Sequence, residues 1–257
     1  LPAEPPASLA GRAADAVTPP AASTVGSSSA AFASAWTDAH DKLSAGRYAE
    51  ALAALSVWYD DPSLGLEESQ RLEDLLGQLA GTVIYSQQDL LLPPHVVAPN
   101  ETLDLVAGPL GVSPRLLAKI NGVEDPQRLV PGEHIKVIRG PFDAVVSVSR
   151  RRISLQLNGA YAGSFPVVVG RRYLEKVGAS LPVLEIQHGA GVGATIPAGT
   201  ASLRKAIVLG EGLVIEGVDD PVAVADAAPQ TSLVMAARDL DEVLDILGPA
   251  SRILVRQ

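Results

Sequence analysis

Residues Gly212 to Met235 read GLVIEGVDDPVAVADAAPQTSLVM, and the fold of the C-terminal half is predicted from this stretch. The short apolar run Leu213 to Ile215 predicts a strand, which leads into Glu216 and an acidic turn. After a loop, Thr231-Ser232-Leu233-Val234-Met235 precedes a segment, residues 237 to 247, with acids on one face and leucines on the other. The stretch therefore predicts a strand, a loop and a short helix.

This pattern resembles the C-terminal part of the YkuD-type L,D-transpeptidases, cell-wall enzymes whose motif I-H-G-T-x-x-P is followed by a loop and then S-x-G-C-x-R. The resemblance places Glu216 at the family's His, Thr231 at its Gly, Ser232 at its nucleophilic Cys and Val234 at its Arg. It implies a mainly-β L,D-transpeptidase-like domain over residues 140–257 in which the frame is kept and the reactive groups are replaced.

The replaced groups decide whether catalysis is expected. The family's mechanism needs a Cys thiolate activated by a neighbouring imidazole. A serine hydroxyl is far less acidic than a thiol, and a carboxylate is a poor proton acceptor at neutral pH unless burial raises its pKa. Because a nucleophile and its base act as a unit, we expect a pseudoenzyme with no catalytic residue. The alternative is an active L,D-transpeptidase or carboxypeptidase that uses Ser232 in place of Cys.

Composition limits the class of protein and of partner. The chain has 257 residues, 47% of them hydrophobic, which is enough for about two domains with proper cores. Its net charge of −9 argues against nucleic acid or an anionic membrane surface as the main partner. It has no Cys, which excludes disulfides and thiolate metal sites.

The N-terminal residues 1–29 are rich in Pro, Ala, Ser and Thr and carry no aromatic residue, which predicts a flexible linker. The sequence has no run of about 18 apolar residues, so we expect no membrane span in it. We expect an exported protein of the cell envelope or periplasm, tethered through a segment that precedes Leu1. A plain disordered tail would have the same composition as such a tether.

Residues 30–90 carry a helical pattern. Phe32, Trp36 and Leu43 recur at helical spacing, Gly46 interrupts the run, and a new helix starts near Tyr48. The arrangement resembles one tetratricopeptide unit, but about three stacked repeats are needed for a continuous core. We expect a three-helix bundle or a helical layer packed on the other domains; a groove that binds an envelope protein partner is the alternative.

Residues 91–139 resemble the LysM module, a βααβ fold that binds polymers containing N-acetylglucosamine. The matching positions follow the order of that module: Val97, Asn100-Glu101-Thr102-Leu103 for G-D-T-L, Gly111-Val112-Ser113, Ile120-Asn121-Gly122, Leu129-Val130-Pro131-Gly132 and the last strand from His134 to Ile138. The spacing of the apolar residues also fits one small core. Ser113-Pro114 supplies a helix cap followed by Pro at the first helical position.

The LysM resemblance implies a glycan groove between the loop before the first helix and the loop before the last strand. The predicted glycan-binding residues are Pro99, Asn100, Glu101, Thr102, Leu103, Asp125, Pro126, Gln127, Val130 and Pro131. A purely structural module packed on its neighbours is the alternative, because Asn100-Glu101 stands where the family has Gly-Asp.

Other candidate sites are weaker. Asn158-Gly159 predicts a two-residue hairpin rather than a site. The glycine-rich stretch 189–193 lacks the following helix that a nucleotide-binding loop needs. A triad of Ser232, His188 and Asp219 or Asp220 has no nucleophile-elbow motif to support it. The four His show no metal-ligand spacing, so we expect neither metal nor cofactor.

The sequence thus predicts an α+β multidomain protein with a helical segment, a βααβ module and a mainly-β domain. The preferred function is non-catalytic contact with peptidoglycan glycan strands through the LysM-like module. The alternatives are the Ser232 enzyme and a protein-interaction adaptor acting through residues 30–90.

Overall fold

The computed structural model describes residues 23–188, 205–223 and 229–257. Within these residues the chain forms N-terminal helices, a small two-stranded unit with two helices, and a nine-stranded sheet. This arrangement confirms the predicted α+β class. None of the helices in these three ranges is both long and apolar enough to cross a membrane.

The N-terminal helices are α1 (Ser23–Ser44), α2 (Tyr48–Ser56) and α3 (Leu66–Ala80), and α3 continues into a π-helical turn at Gly81–Tyr85. The interruption predicted at Gly46 is present, since that residue has a positive φ of 73° between α1 and α2. Helix α1 starts at Ser23, inside the predicted linker 1–29. The linker prediction is therefore wrong for residues 23–29, because each residue added to an existing helix gains a hydrogen bond. The rest of that linker lies outside the described residues.

Residues 95–135 form a unit in the order strand, helix, helix, strand. It consists of β1 (His95–Val96), α4 (Leu103–Leu110), α5 (Pro114–Asn121) and β2 (His134–Ile135), with β1 and β2 antiparallel. Ser113 caps α5 by accepting a hydrogen bond from the N–H of Arg115 at 3.2 Å, and Gly122 ends the helix with a left-handed φ of 66°. The predicted order of elements is present, and this order alone does not identify a LysM module.

The C-terminal part is one curved sheet. Its strands are β3 (Phe142–Ser147), β4 (Arg152–Leu157), β5 (Ala160–Pro166), β6 (Val168–Val169), β7 (Ser180–His188), β8 (Lys205–Leu209), β9 (Val214–Val218), β10 (Ser232–Ala236) and β11 (Arg252–Arg256). They lie in the order β5-β4-β3-β11-β7-β8-β9-β10-β6, and only the pairs β3-β11 and β9-β10 are parallel. Two helices accompany the sheet, α6 (Arg171–Leu174) and α7 (Ala237–Ile246).

The two edge strands of this sheet, β5 and β6, are consecutive in the chain and separated only by Val167. The sequence pattern predicts one strand from Tyr161 to Val169, and the structure divides it. Pro166 cannot donate to a ladder, and the N–H of Val167 bonds instead to the carbonyl of Arg151 at 2.9 Å. The break brings the opposite edges of the sheet together into a nearly closed barrel.

Helix α7 packs on β8, β9 and β10 through the predicted apolar stripe Leu240, Val243, Leu244 and Leu247, all of which are buried. Gly217 of β9 makes the close approach possible. A Cβ at this position would lie 2.9 Å from the Cα of Ala237 and 3.0 Å from Cδ2 of Leu240. Gly217 therefore determines how closely α7 packs on the strand that carries Glu216.

The helical layer packs on β5. The N–H of Tyr161 donates to Oγ of Ser56 at 2.8 Å, and the rings of Tyr59 and Tyr161 are 4.7 Å apart. The hydroxyl of Tyr85 donates to the carbonyl of Ala162 at 2.7 Å. These contacts favour the prediction of a helical layer over that of a free three-helix bundle.

The β1-α4-α5-β2 unit is attached on two sides. Lys136 is 3% exposed, and its Nζ donates to the carbonyls of Val83 at 2.8 Å and Ser86 at 2.6 Å in the helical region. On the other side, Nζ of Lys119 lies 2.6 Å from Oδ2 of Asp245 on α7. The three sequence regions therefore share polar contacts at their boundaries.

Candidate functional site

Strands β9 and β10 bring the predicted degenerate positions together. The two strands are parallel, with Val234 opposite Glu216 and Ser232 opposite Val214. Partners in a sheet share a face, and so do residues two apart in one strand. Ser232, Val234 and Glu216 therefore lie on one face of the sheet, with the Cα atoms of Glu216 and Ser232 about 8 Å apart from strand geometry.

This patch is only partly open. Ser232 is 4% exposed and Val234 is 1% exposed, whereas Glu216 and Thr231 are half-buried. The carbonyl of Ser232 accepts a hydrogen bond from the N–H of Gly170 at 2.9 Å. An acyl donor would have to reach a serine hydroxyl that the surrounding described residues cover.

Tyr173 is a further residue at this patch, and the sequence does not indicate it. Its side chain is fully buried, and its hydroxyl donates to the carbonyl of Val214 at 3.0 Å. Burial raises the pKa of Tyr173 well above its usual value, and the negative charge of Glu216 adds to the effect. Tyr173 therefore stays a neutral donor beside Glu216. It lies in the four-residue helix α6, which is too short to show a helical pattern of apolar residues in the sequence.

The triad considered from the sequence is not assembled. His188 pairs with Lys205 across β7 and β8, and two further strand spacings separate Lys205 from β10. The distance from His188 to β10 is thus about 14 Å across the sheet, far beyond hydrogen-bond reach of Ser232. His188 instead borders a small cavity with Arg115, Lys119 and Asp241. The glycine-rich stretch 189–193 lies outside the described residues.

The two loops predicted to form a glycan groove are in contact. The N–H of Leu103 donates to the carbonyl of Pro126 at 3.0 Å, and Nε2 of Gln127 donates to Oδ2 of Asp104 at 2.7 Å. Asp125 orders its own loop, because its Oδ1 accepts from the N–H of Gln127 at 3.0 Å. These bonds hold residues 99–104 and 125–131 side by side at one end of α4.

The predicted groove residues differ in accessibility. Six are exposed: Pro99, Asn100, Asp125, Gln127, Val130 and Pro131. Glu101, Thr102 and Pro126 are half-buried, and Leu103 is fully buried. Leu103 therefore belongs to the core of the unit, and its N–H is already bonded to Pro126. Val130 is 62% exposed, so an apolar side chain stands at the rim of the groove.

Glu101 has a local structural role. Its Oε2 accepts from the N–H of Ala98 at 2.8 Å and lies 2.8 Å from Nε2 of His95. The Ala98 hydrogen bond, followed by the His95 contact, lowers the pKa of Glu101. Asn100, just before it, has a positive φ of 63°, which Asn tolerates better than most residues. This turn keeps the first loop in place.

No protein-family model matches the sequence, and no curated protein matches it. Solved structures of L,D-transpeptidases are similar to it in fold. An L,D-transpeptidase from Mycobacterium smegmatis is 12% identical, with a TM-score of 0.36 over 50% of this chain and 65% of that one. One from Mycobacterium tuberculosis H37Rv is 14% identical, with a TM-score of 0.36 over 50% and 63%.

A third, from Stackebrandtia nassauensis, is 7% identical, with a TM-score of 0.37 over 48% of this chain and 58% of that one. The chain thus spans less than two thirds of the length of each of these three proteins. This similarity does not assign the chain to their family. Within the described ranges, no three carboxylate or imidazole groups come together as they would to hold a metal ion.

Proposed function

We propose that this protein is a non-catalytic component of the cell envelope that binds the glycan of peptidoglycan through residues 99–131. The supporting observation is the pairing of the two loops, Leu103 to Pro126 and Gln127 to Asp104, which holds them side by side. The exposed amide of Gln127 can bond to sugar hydroxyl and N-acetyl groups. The exposed side chain of Val130 offers an apolar surface to a sugar ring.

In this proposal the groove binds one strand of N-acetylglucosamine-containing polymer without chemistry. A substitution in the groove should weaken binding without unfolding the unit. Gln127→Ala removes both a donor to the glycan and the bond to Asp104, and we expect about tenfold weaker binding. Gln70→Ala is the matched control, because Gln70 is an exposed glutamine on α3, away from both loops.

The experiment is a titration of the full chain with an N-acetylglucosamine tetramer, followed by sedimentation with purified sacculi. We expect the wild type and Gln70→Ala to bind alike and Gln127→Ala to bind less. Absence of binding by the wild type to both ligands would sink the proposal. If all three proteins bound the glycan with equal affinity, the glycan would have to bind at another surface of the protein.

The C-terminal domain is proposed to be inactive. Its patch combines a buried hydroxyl, that of Ser232, with a carboxylate two residues further along the neighbouring strand, that of Glu216. The chain contains no Cys that could replace Ser232 as nucleophile. We expect no covalent adduct after incubation with a carbapenem or with a tetrapeptide donor. An adduct seen by mass spectrometry and lost in Ser232→Ala would instead establish the serine enzyme.

A further inference from the structure

A cleft of about 490 Å³ lies where α3, α5, β5 and α7 meet. This volume is in the range of sites for small ligands. None of the residues predicted for the glycan groove or for the degenerate patch lines it. The cleft is therefore a separate candidate site, and the sequence does not indicate it because its four walls come from distant parts of the chain.

Small residues keep the cleft open. Gly77 and Gly81 line it from the helical side, and a Cβ on either would meet no atom within 4 Å. Gly77 is exposed within α3, where glycine is unfavourable relative to alanine by about 1 kcal/mol. A larger side chain at Gly77 would project into this space.

The opposite wall is an edge strand. Among the strands that the structure describes, β5 has only β4 as a neighbour in the sheet. The helical layer bonds to its first part, since Tyr161 bonds to Ser56 and Ala162 bonds to Tyr85. The following residues, Gly163 to Phe165, line the cleft. These three residues are half-buried, and a strand edge without a neighbouring strand can pair with an extended peptide through main-chain hydrogen bonds.

The charges at the cleft favour a cation. Asp245 is paired with Lys119 at 2.6 Å and lies 3.9 Å from Arg115. Glu242, one turn before Asp245 on α7, has no ion-pair partner among the residues that the structure describes. Burial raises the pKa of Tyr85 above its usual value, and the negative charge of Glu242 adds to this, which places that carboxylate near the Tyr85 hydroxyl. The cleft thus presents one uncompensated negative charge beside aromatic walls.

We propose that this cleft binds a short extended peptide, about three residues long, along the edge of β5, with an amino group of the peptide on Glu242. Three residues match the length of the edge from Gly163 to Phe165. The amine would supply the charge-assisted hydrogen bond that the Glu242 carboxylate lacks. This site does not depend on the glycan groove, and either can exist without the other.

The test is isothermal titration of the full chain with the tripeptide Ala-Ala-Lys, acetylated at its N-terminus and amidated at its C-terminus so that the lysine amine is its only charged group. The comparison peptide carries an acetylated lysine. The variants are Glu242→Gln, which removes the charge of an exposed residue, and Gly77→Leu, which fills the cleft. Gly77→Ala is the matched control, because one methyl group leaves most of the space free and improves helix propensity. Thermal melts confirm that each variant is folded.

We expect the free-amine tripeptide to bind to the wild type and to Gly77→Ala, and to bind at least about tenfold more weakly to Glu242→Gln and to Gly77→Leu. The peptide with acetylated lysine should bind to the wild type more weakly than the free-amine peptide does, by a similar factor. Failure of the wild type to bind would overturn the proposal. So would full binding by Gly77→Leu, or equal binding of the two peptides. If Gly77→Leu does not fold, unchanged affinity in Glu242→Gln has the same meaning. The N-acetylglucosamine tetramer should bind all four proteins equally, which separates the two sites.

Discussion

The buried amino group of Lys136 makes the stability of this protein depend on pH. Its side chain is 3% exposed, and its Nζ donates to the carbonyls of Val83 and Ser86. Burial lowers the pKa of Lys136 to about 8, against a weaker opposing effect from Asp89. In the unfolded chain the same group should have the ordinary lysine value of about 10.4.

The direction of the effect follows from proton binding. Between these two pKa values the unfolded state holds a proton that the folded state has released, so the free energy of unfolding rises with pH. Below pH 8 both states are protonated, and the folded protein bears the full cost of a buried charge. Integrated from pH 7 to 9.5, the gain is about 2 kcal/mol. Most of it falls above pH 8.

Ionisation of the tyrosines sets the upper limit of the pH range in which the effect of Lys136 can be measured. The pKa values of Tyr59, Tyr85, Tyr161 and Tyr173 are all raised, in each case first by burial. Above about pH 10 the unfolded state loses tyrosine protons that the folded state keeps, so these groups remove stability as pH rises. At pH 9.5 the four tyrosines together remove about 0.6 kcal/mol, and they do so equally in a Lys136 variant, so the difference between the two proteins isolates the lysine.

The assay is urea denaturation at pH 7, 8, 9 and 9.5 for the wild type and for Lys136→Met. The wild type should gain about 2 kcal/mol over this range relative to the variant. Methionine keeps most of the apolar stem but leaves the carbonyls of Val83 and Ser86 without this donor. If the free energy of unfolding changed with pH in the same way for both proteins, the reasoning that the pKa of Lys136 is lowered would be refuted. A constant difference in stability between the two proteins would not alter this conclusion.

Two further substitutions test the boundaries between regions by thermal melting and urea denaturation. Gly140→Ala should cost about 1–3 kcal/mol, because the new Cβ would lie 2.3 Å from the carbonyl oxygen of Gly111; Gly108→Ala, with nothing within 4 Å, is its control. Ser56→Ala should cost about 1–3 kcal/mol by depriving the buried N–H of Tyr161 of its acceptor. If Gly140→Ala left the free energy of unfolding unchanged, the contact between Gly140 and Gly111 would be loosely packed. If Ser56→Ala left it unchanged, water would replace the hydroxyl as acceptor.

Local features of the fold could be predicted where a short sequence signal has a single physical solution. Asn158 and Gly159 both have positive φ, at 52° and 82°, as the predicted two-residue hairpin requires. The stripe of α7 and the cap at Ser113 are likewise confirmed. The apolar run at residues 206–209 also predicts a strand, and β8 is found at Lys205–Leu209.

Long-range features could not be predicted in the same way. Strand β10, Ser232–Ala236, was missed as a strand because its short apolar run leads directly into α7. The division of the stretch 161–169 into β5 and β6 depends on sheet closure, which no local pattern contains. In the sequence, Lys136 next to Ile135 has the pattern of a surface residue, because lysine is rarely buried. Only packing against the π-helical turn buries it.

The candidate sites show the same contrast. The patch at Glu216 and Ser232 was expected from the resemblance to the transpeptidase motif and not from the strand pattern, which did not assign Ser232 to a strand. Tyr173 at that patch could not be expected, because its partner Val214 is 41 residues away in the chain, and the cleft could not be, because α3, α5, β5 and α7 all contribute to it. The residues of the glycan loops were predicted from a resemblance, and their affinity for sugar is a matter for titration.

The contacts between the regions also decide how function must be tested. Removing residues 91–139 would take away the Lys136 donor to Val83 and the Lys119 partner of Asp245. It would also remove α5, which forms one wall of the cleft. A truncated protein that fails to bind sacculi could therefore have lost its fold rather than its ligand. Point substitutions at exposed positions, such as Gln127 in the first site and Glu242 in the cleft, leave these boundaries intact. For a protein whose parts share buried hydrogen bonds, single-residue variants can separate binding from folding, and deletion of a region cannot.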